Sequence, residues 1–386
     1  MSQERIYCLA WSRVSGVGPI LVDRLIQHFG SLEAAWTADD RALLAIDGIG
    51  ELSIVKIMES RAQIDPQQLS ATHAIENPLW WARTDADYPR LLAEIPSAPS
   101  MLYYRGQVAL AENRGEVPTI AIVGTRSPSE YGKKWARKIA TLLAQNGFTV
   151  VSGLALGIDA EAHSACLEAG GRTIAVIGTG LDIVYPPHHH QLAAAIAQQG
   201  LIVSEYVAAT PPDRSHFPAR NRIIAGLSRV TIVIDAPTKS GALITAYQAN
   251  DFGRDVYVLP GSIDNPNSLG GLGLLTRGAQ PILSLAHLLE LLATIPQLDP
   301  HRQLDMFADR QPDLDPSTTR SIAPTAPSIA VEIELQPVWQ LVTDLPISFD
   351  ELVTSSQLPV ATVSSILLQL ELLGLVTQLP GMRYQR

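Results

Sequence analysis

From Pro118 to about Ala293 the chain alternates short apolar runs with longer helical stretches, and no other feature restricts its fold as much. The runs are Thr119 to Val123, Thr149 to Val151, Thr173 to Ile177, Leu201 to Ser204, Val230 to Ile234 and Asp255 to Leu259. Between them, helices are expected over Tyr131 to Gln145, Asp159 to Ala169, Gln191 to Gln198, Phe217 to Gly226 and Ala242 to Asp251. A strand that is apolar throughout is buried on both faces, so the strands should run parallel and be joined by crossover helices. The expected fold class is α/β, a Rossmann-like doubly wound sheet that is mostly parallel.

A chain of 386 residues exceeds the roughly 250 to 300 residues at which one core stops growing, so smaller domains should flank the sheet. Residues 1–70 read as short helices separated by two similar turns, Val14-Ser15-Gly16-Val17-Gly18-Pro19 and Ile46-Asp47-Gly48-Ile49-Gly50. Such turns look like helix-hairpin-helix elements, whose glycines let backbone N–H groups approach a phosphate; equally, the glycines could only cap helices. Residues 71–294 would form the extended Rossmann-like domain. Residues 295–336, rich in Pro, Asp, Ser and Thr, read as a flexible linker. Residues 337–386 follow a winged-helix pattern with a two-stranded wing over Leu375 to Tyr384. The expected recognition helix, Val360 to Leu373, has no Lys or Arg, which suits a protein contact better than base readout.

The charge of −10 argues against a uniformly basic duplex binder, but its distribution matters more than its sum. Arg126, Lys133, Lys134, Arg137 and Lys138 cluster against Glu130 alone, while five aspartates fall between Asp299 and Asp315. No run reaches the roughly 18 apolar residues of a membrane span, and Met1 to Ser12 lacks the pattern of a secretory leader, so a cytoplasmic protein is expected. Cys8 and Cys166 are too far apart in sequence to suggest a thiolate metal site or a disulfide framework.

In open parallel sheets ligands bind outside the carboxyl ends of the strands, which directs attention to four loops. Gly124-Thr125-Arg126 opens the first, where a tight turn precedes a helix N-terminus and Arg126 could take a phosphate. Ser152-Gly153 begins the second, which runs to Asp159. Gly178-Thr179-Gly180 leads to Tyr185-Pro186 in the third. In the fourth, Phe217, Arg220, Asn221 and Arg222 crowd together, a combination of ring and cations that suits single-stranded nucleic acid. On one helix Arg220 and Arg222 point about 200° apart, so one of the two is expected to be structural.

These segments, with Phe217-Pro218, Ser240-Gly241-Ala242-Leu243-Ile244-Thr245-Ala246 and Pro260-Gly261, resemble the DNA-processing protein A family (DprA, also called Smf). The resemblance implies a protein that binds single-stranded DNA entering in natural transformation, protects it and helps load the RecA recombinase. It also implies a homodimer formed through the Rossmann-like domain, and no catalytic residue, cofactor or metal. Arg126 would be the phosphate-binding arginine. Phe217 with Arg220-Asn221-Arg222 would stack bases and contact the backbone. Gly153 and Lys239 would line the same groove, alongside the matched Ser240 and Gly241.

The rival class is a nucleotide-binding enzyme. No GxGxxG follows a strand, since Ile183 stands where the third glycine belongs, and Gly132-Lys133-Lys134 lacks the remainder of a Walker A motif. A phosphoribohydrolase of the lysine-decarboxylase-like group would need a PGGxGTxxE segment, which Pro260-Gly261-Ser262-Ile263-Asp264 does not supply. His188-His189-His190 reads as a solvated turn, His163 as a helix-packing residue, and Trp80, Trp81 and Tyr88 as packing between domains.

Overall fold

The computed structural model describes residues 2–295, 336–343, 347–356, 358, 362–363, 366–367, 370, 375–379 and 383–385. The expected linker over 295–336 lies outside them except at its two ends, as does most of Val360 to Leu373. The chain divides into two compact units, Met1–Phe307 and Ala308–Arg386.

In the first unit, nine strands form one sheet: β1 Trp80–Ala82, β2 Met101–Gly106, β3 Thr119–Gly124, β4 Thr149–Ser152, β5 Thr173–Ile177, β6 Leu201–Ser204, β7 Val230–Ile234, β8 Asp255–Val258 and β9 Gln280–Pro281. Their order is β1-β2-β6-β5-β4-β3-β7-β8-β9. The six strands read from sequence, β3 to β8, fall within one residue of their expected bounds, and every pairing among the six is parallel. β1 and β2 were not expected as strands. They extend one edge antiparallel, with Tyr103 opposite Ser204.

Six short helices come first: α1 Gln3–Ser12, α2 Pro19–Phe29, α3 Leu32–Thr37, α4 Asp40–Leu44, α5 Glu51–Ala62 and α6 Pro66–Glu76. The sheet region adds α7 Arg90–Ala93, α8 Leu110–Asn113, α9 Glu130–Gln145, α10 Ile158–Glu168, α11 His190–Gln199, α12 His216–Leu227, α13 Gly241–Asp251, α14 Leu269–Leu275 and α15 Leu285–Ala293. Alternation along each strand feeds two cores. On β3, Ile120 and Ile122 pack with Ile139 and Leu143 of α9 and with Ile158 of α10, while Ala121 and Val123 pack with Ile223 of α12 and Leu243 of α13. Burial on both faces is why these strands carry no polar alternation.

The two glycine turns are duplicates in three dimensions. Gly16 and Gly48 have φ of 84° and 93°, in the left-handed region that favours glycine, and α2 and α5 each start on a glycine in nearly identical extended geometry. The Arg24 guanidinium fills the second turn, 3.1 Å from the Asp47 carboxylate. The front helices share a core with the sheet edge, where Cys8, Leu9 and Trp11 meet Trp80, Met101 and Tyr103. Trp81, on the opposite face, stacks on Tyr104 at 4.0 Å. Trp80, Trp81 and Tyr88 are all buried, as packing residues should be.

The second unit contains α16 Gln336–Trp339, α17 Phe349–Ser356 and strands β10 Ile347–Ser348, β11 Thr377–Leu379 and β12 Arg383–Gln385. β11 and β12 pair antiparallel as the wing, with β10 on the other side of β12. Val338, Val342, Leu352, Leu370 and Val376 form its core.

Candidate nucleic-acid interface

From β3 the chain winds outward through β4, β5 and β6, then returns to place β7 on the other side of β3. This reversal opens a crevice at the strand carboxyl ends, where α/β sheets take ligands. Here it is a groove of about 740 Å³ lined by Gly124, Thr125, Arg126, Phe217, Arg220 and Asn221 and by Lys239, Ser240 and Gly241, with the Asn221 side-chain N–H donating to the Gly241 carbonyl at 3.2 Å.

The first loop is held rigidly. A Cβ on Gly124 would run into the Ile234 carbonyl oxygen of β7, so only glycine lets the two strand ends approach. The Thr125 N–H donates to the Asp235 carbonyl at 2.8 Å, and the Ser129 N–H and hydroxyl donate to the Asp235 carboxylate at 2.8 and 2.6 Å. Ser129 in turn caps α9 by accepting from the Gly132 N–H at 3.0 Å. Asp235 itself has φ of 45°, a left-handed conformation that an aspartate tolerates better than most residues. The anchored loop leaves Arg126 exposed, with its guanidinium 5.3 Å from the centroid of the Phe217 ring. Tyr185 lies on Phe217 at 5.5 Å.

Arg220 lines this groove from below. It is 4% exposed and donates to the carbonyl of Gly153 at 2.6 Å and to that of Val176. The buried Asp159 carboxylate accepts from the N–H groups of Gly153 and Ala155 at 3.1 and 3.3 Å. A Cβ on Gly153 would meet both Arg220 and Asp159, so the glycine makes room for these two charges. Burial pushes the Arg220 guanidinium down to about 10, with Asp159 opposing that shift and Arg126 adding to it. For Asp159, burial pushes the carboxyl up and Arg220 pulls it back. Arg220 therefore supports the groove floor instead of extending toward a phosphate.

Arg222 points away, as its helical position requires. It donates to the Ser97 carbonyl at 2.9 Å and to Glu205 at 2.6 Å, so its charge is already matched. Ser152 is also removed from the groove: it is fully buried, and its hydroxyl donates to the Ile122 carbonyl at 2.6 Å. Both were expected as contact residues, and both are instead engaged by partners within the protein. The histidine run is corrected as well. His188 and His190 are exposed, but His189 is buried with its Nδ1 3.0 Å from the Leu154 carbonyl. His163 packs inside, as expected, against the Thr173 hydroxyl at 2.7 Å. Among the described residues no cluster of His, Cys, Asp or Glu could hold a metal ion.

Arg214 also lines the groove and went unnoticed in the sequence, where it stands in a Pro-rich stretch without periodicity. The available signal was its position three residues before Phe217, a second cation beside the ring. Tyr185 was legible only as the end of the third loop.

Fold and groove together define a Rossmann-like α/β protein with an open cleft at its strand ends, lined by Arg126, Arg214, Arg220 and Lys239. The chain belongs to the DNA recombination-mediator protein A family, whose model matches residues 80–293, and a DprA winged helix domain matches residues 322–382. Protein Smf of Synechocystis is 48% identical over 100% of this chain and 99% of its own length. The crystal structure of DNA processing protein A from Streptococcus pneumoniae superposes with a TM-score of 0.66 at 36% identity, covering 77% of this chain and 99% of that one. DNA processing protein A from Helicobacter pylori, described for its single-stranded DNA binding mode, gives a TM-score of 0.50 at 33% identity over 55% of this chain and 95% of that one. The family match does not favour the phosphoribohydrolase alternative.

Proposed function

We propose that the chain binds single-stranded DNA in the strand-end groove and acts without catalysing a reaction. The observation that carries this reading is the exposed Arg126 guanidinium held 5.3 Å from the Phe217 ring in an open groove of about 740 Å³. Single-strand binders combine cations that follow the phosphates with ring faces on which any base can stack. The groove offers Arg126, Arg214 and Lys239 for the first task, Phe217 and Tyr185 for the second. Asn221 and the Ser240-Gly241 turn add polar groups that could position sugar or base. The single-strand binding described for the Helicobacter pylori relative supports the same reading.

The finer role follows from the resemblance. In it the protein works in the cytoplasm as a homodimer, protects DNA taken up in natural transformation and assists RecA loading. The four-part organisation, with a linker over 295–336, belongs to this proposal too. Among the described residues no helix is long and apolar enough to cross a membrane. A mobility-shift comparison of one oligonucleotide as single strand and as duplex tests the reading: preferential retention of the single strand is expected. Equal retention of both, or steady release of product from nucleoside monophosphates, would contradict it.

A further inference from the structure

The unit Met1–Phe307 has a second cavity, of about 270 Å³, where the first glycine turn of the front helices meets the carboxyl end of β6. Arg13, Gly18, Tyr103, Glu205, Tyr206 and Thr210 are among its lining residues. Arg13 is exposed, and among the described residues its guanidinium has no carboxylate or carbonyl partner. Its charge reaches His73, whose Nε2 lies 3.3 Å from the hydroxyl of the lining Tyr103: burial first, and Arg13 second, hold that imidazole down at about 4. Glu205, an acid on the lining, is already paired with Arg222 at 2.6 Å. The cavity is therefore left with an uncompensated cation. In addition, α2 begins here at Gly18 with no side chain covering its first N–H groups.

A line of rings joins this cavity to the groove. Tyr206 stacks on His216 at 4.0 Å with 23° between the rings, and His216 precedes Phe217 at the start of α12. Phe217 carries Tyr185 at 5.5 Å and Arg126 at 5.3 Å. Between β3 and β6 lie three strand spacings, about 14 Å at roughly 4.8 Å each. At about 3.4 Å per nucleotide of a stacked strand, some four nucleotides cross that interval.

We propose that the second cavity is a further subsite for single-stranded DNA, in which Arg13 takes a backbone phosphate and the Tyr206–His216 stack receives a base. The strand then runs from the groove along the carboxyl edge of the sheet to the first glycine turn. This rests on the reading of the groove as a single-strand site. Unlike that site, it gives the front helices a part in DNA binding through one turn, while the second turn is filled by Arg24.

Oligothymidylates of about 6 and about 15 nucleotides, near the lower and upper ends of common single-strand site sizes, separate the two cavities in anisotropy titrations of the full chain. Arg13→Ala should weaken the longer oligomer about fivefold, the scale of one exposed ionic contact, and leave the shorter within about twofold. Its salt slope on the longer oligomer should fall by about 0.7. Arg13→Lys should restore most of the affinity, and unchanged unfolding midpoints should exclude a folding defect. An unchanged 15-mer affinity, or an equal loss on both lengths, overturns the subsite. Arg126→Ala, run in parallel, should weaken both oligomers; if it weakens neither, the groove reading itself falls, a result distinct from failure at Arg13.

Discussion

The guanidinium of Arg126 lies 5.3 Å from the Phe217 ring centroid, although 91 positions separate the two residues in sequence. One comes from the loop after β3 and the other from the first turn of α12. Their meeting depends on the sheet reversing direction beside β3. A cation over a ring gains about 0.5 to 1 kcal/mol at an exposed site, which orients Arg126 without consuming its charge.

Arg220 should behave as a structural residue. Removing it leaves the buried Gly153 and Val176 carbonyls without this donor and takes away the charge that opposes the effect of burial on Asp159. At about 1 to 3 kcal/mol for each stranded carbonyl, Arg220→Ala is expected to cost about 2 to 5 kcal/mol of stability. Urea unfolding measures this. A variant as stable as the parent would show that the floor of the groove does not rest on this side chain.

Gly124→Ala should also destabilise, because the new methyl meets the Ile234 carbonyl and flexible side chains cannot relieve it. Overpacking of this kind costs about 1 to 3 kcal/mol. The first loop moves with it, so single-strand affinity should drop alongside the unfolding midpoint. Loss of stability with affinity intact would separate the loop from the groove.

His163 predicts a pH dependence. Burial holds its imidazole down at about 3, against an ordinary value of 6.5. Below pH 6.5 the unfolded chain takes up a proton that the folded chain refuses, so the stability present above that value is lost progressively as pH falls toward 3. The slope per group is about 1.4 kcal/mol per pH unit in that window. His163→Gln, which retains a partner for the Thr173 hydroxyl, should flatten this part of the urea-midpoint profile. An identical profile in the variant would place the acid sensitivity elsewhere.

Arg214→Ala and Lys239→Ala should each lower the slope of log affinity against log salt by about 0.7, the amount expected for one lost phosphate contact on a single strand. The loss should be similar for different base sequences, since phosphate contacts do not read bases. A slope identical to that of the parent would remove that residue from the interface.

Much of the fold was legible because the six central strands are short, mainly apolar runs without regular polar alternation, a pattern that buried parallel strands produce and few alternatives share. β1 and β2 were missed since their aromatic residues, Trp80, Trp81, Tyr103 and Tyr104, serve two cores at once and so show no simple period. Within the site, Gly124, Arg126 and Phe217 were readable from residue type and position after a strand. Arg220 and Arg222 were not separable by type. Helical geometry said only that they diverge, and it took the Gly153 and Val176 carbonyls and the Glu205 carboxylate to show that both charges are engaged. Ser152 looked like a loop residue but ends β4, where its hydroxyl turns inward.

The central claim is tested most directly by titrating a labelled single strand and its duplex with the parent chain, Arg126→Ala and Phe217→Ala at fixed salt. Each substitution should cost about 1 to 3 kcal/mol of single-strand binding, the range of a charge-assisted phosphate contact or one stacked base, while the proteins remain folded. Folded variants that bind the single strand as tightly as the parent would show that the groove around Arg126 and Phe217 is not where the DNA lies.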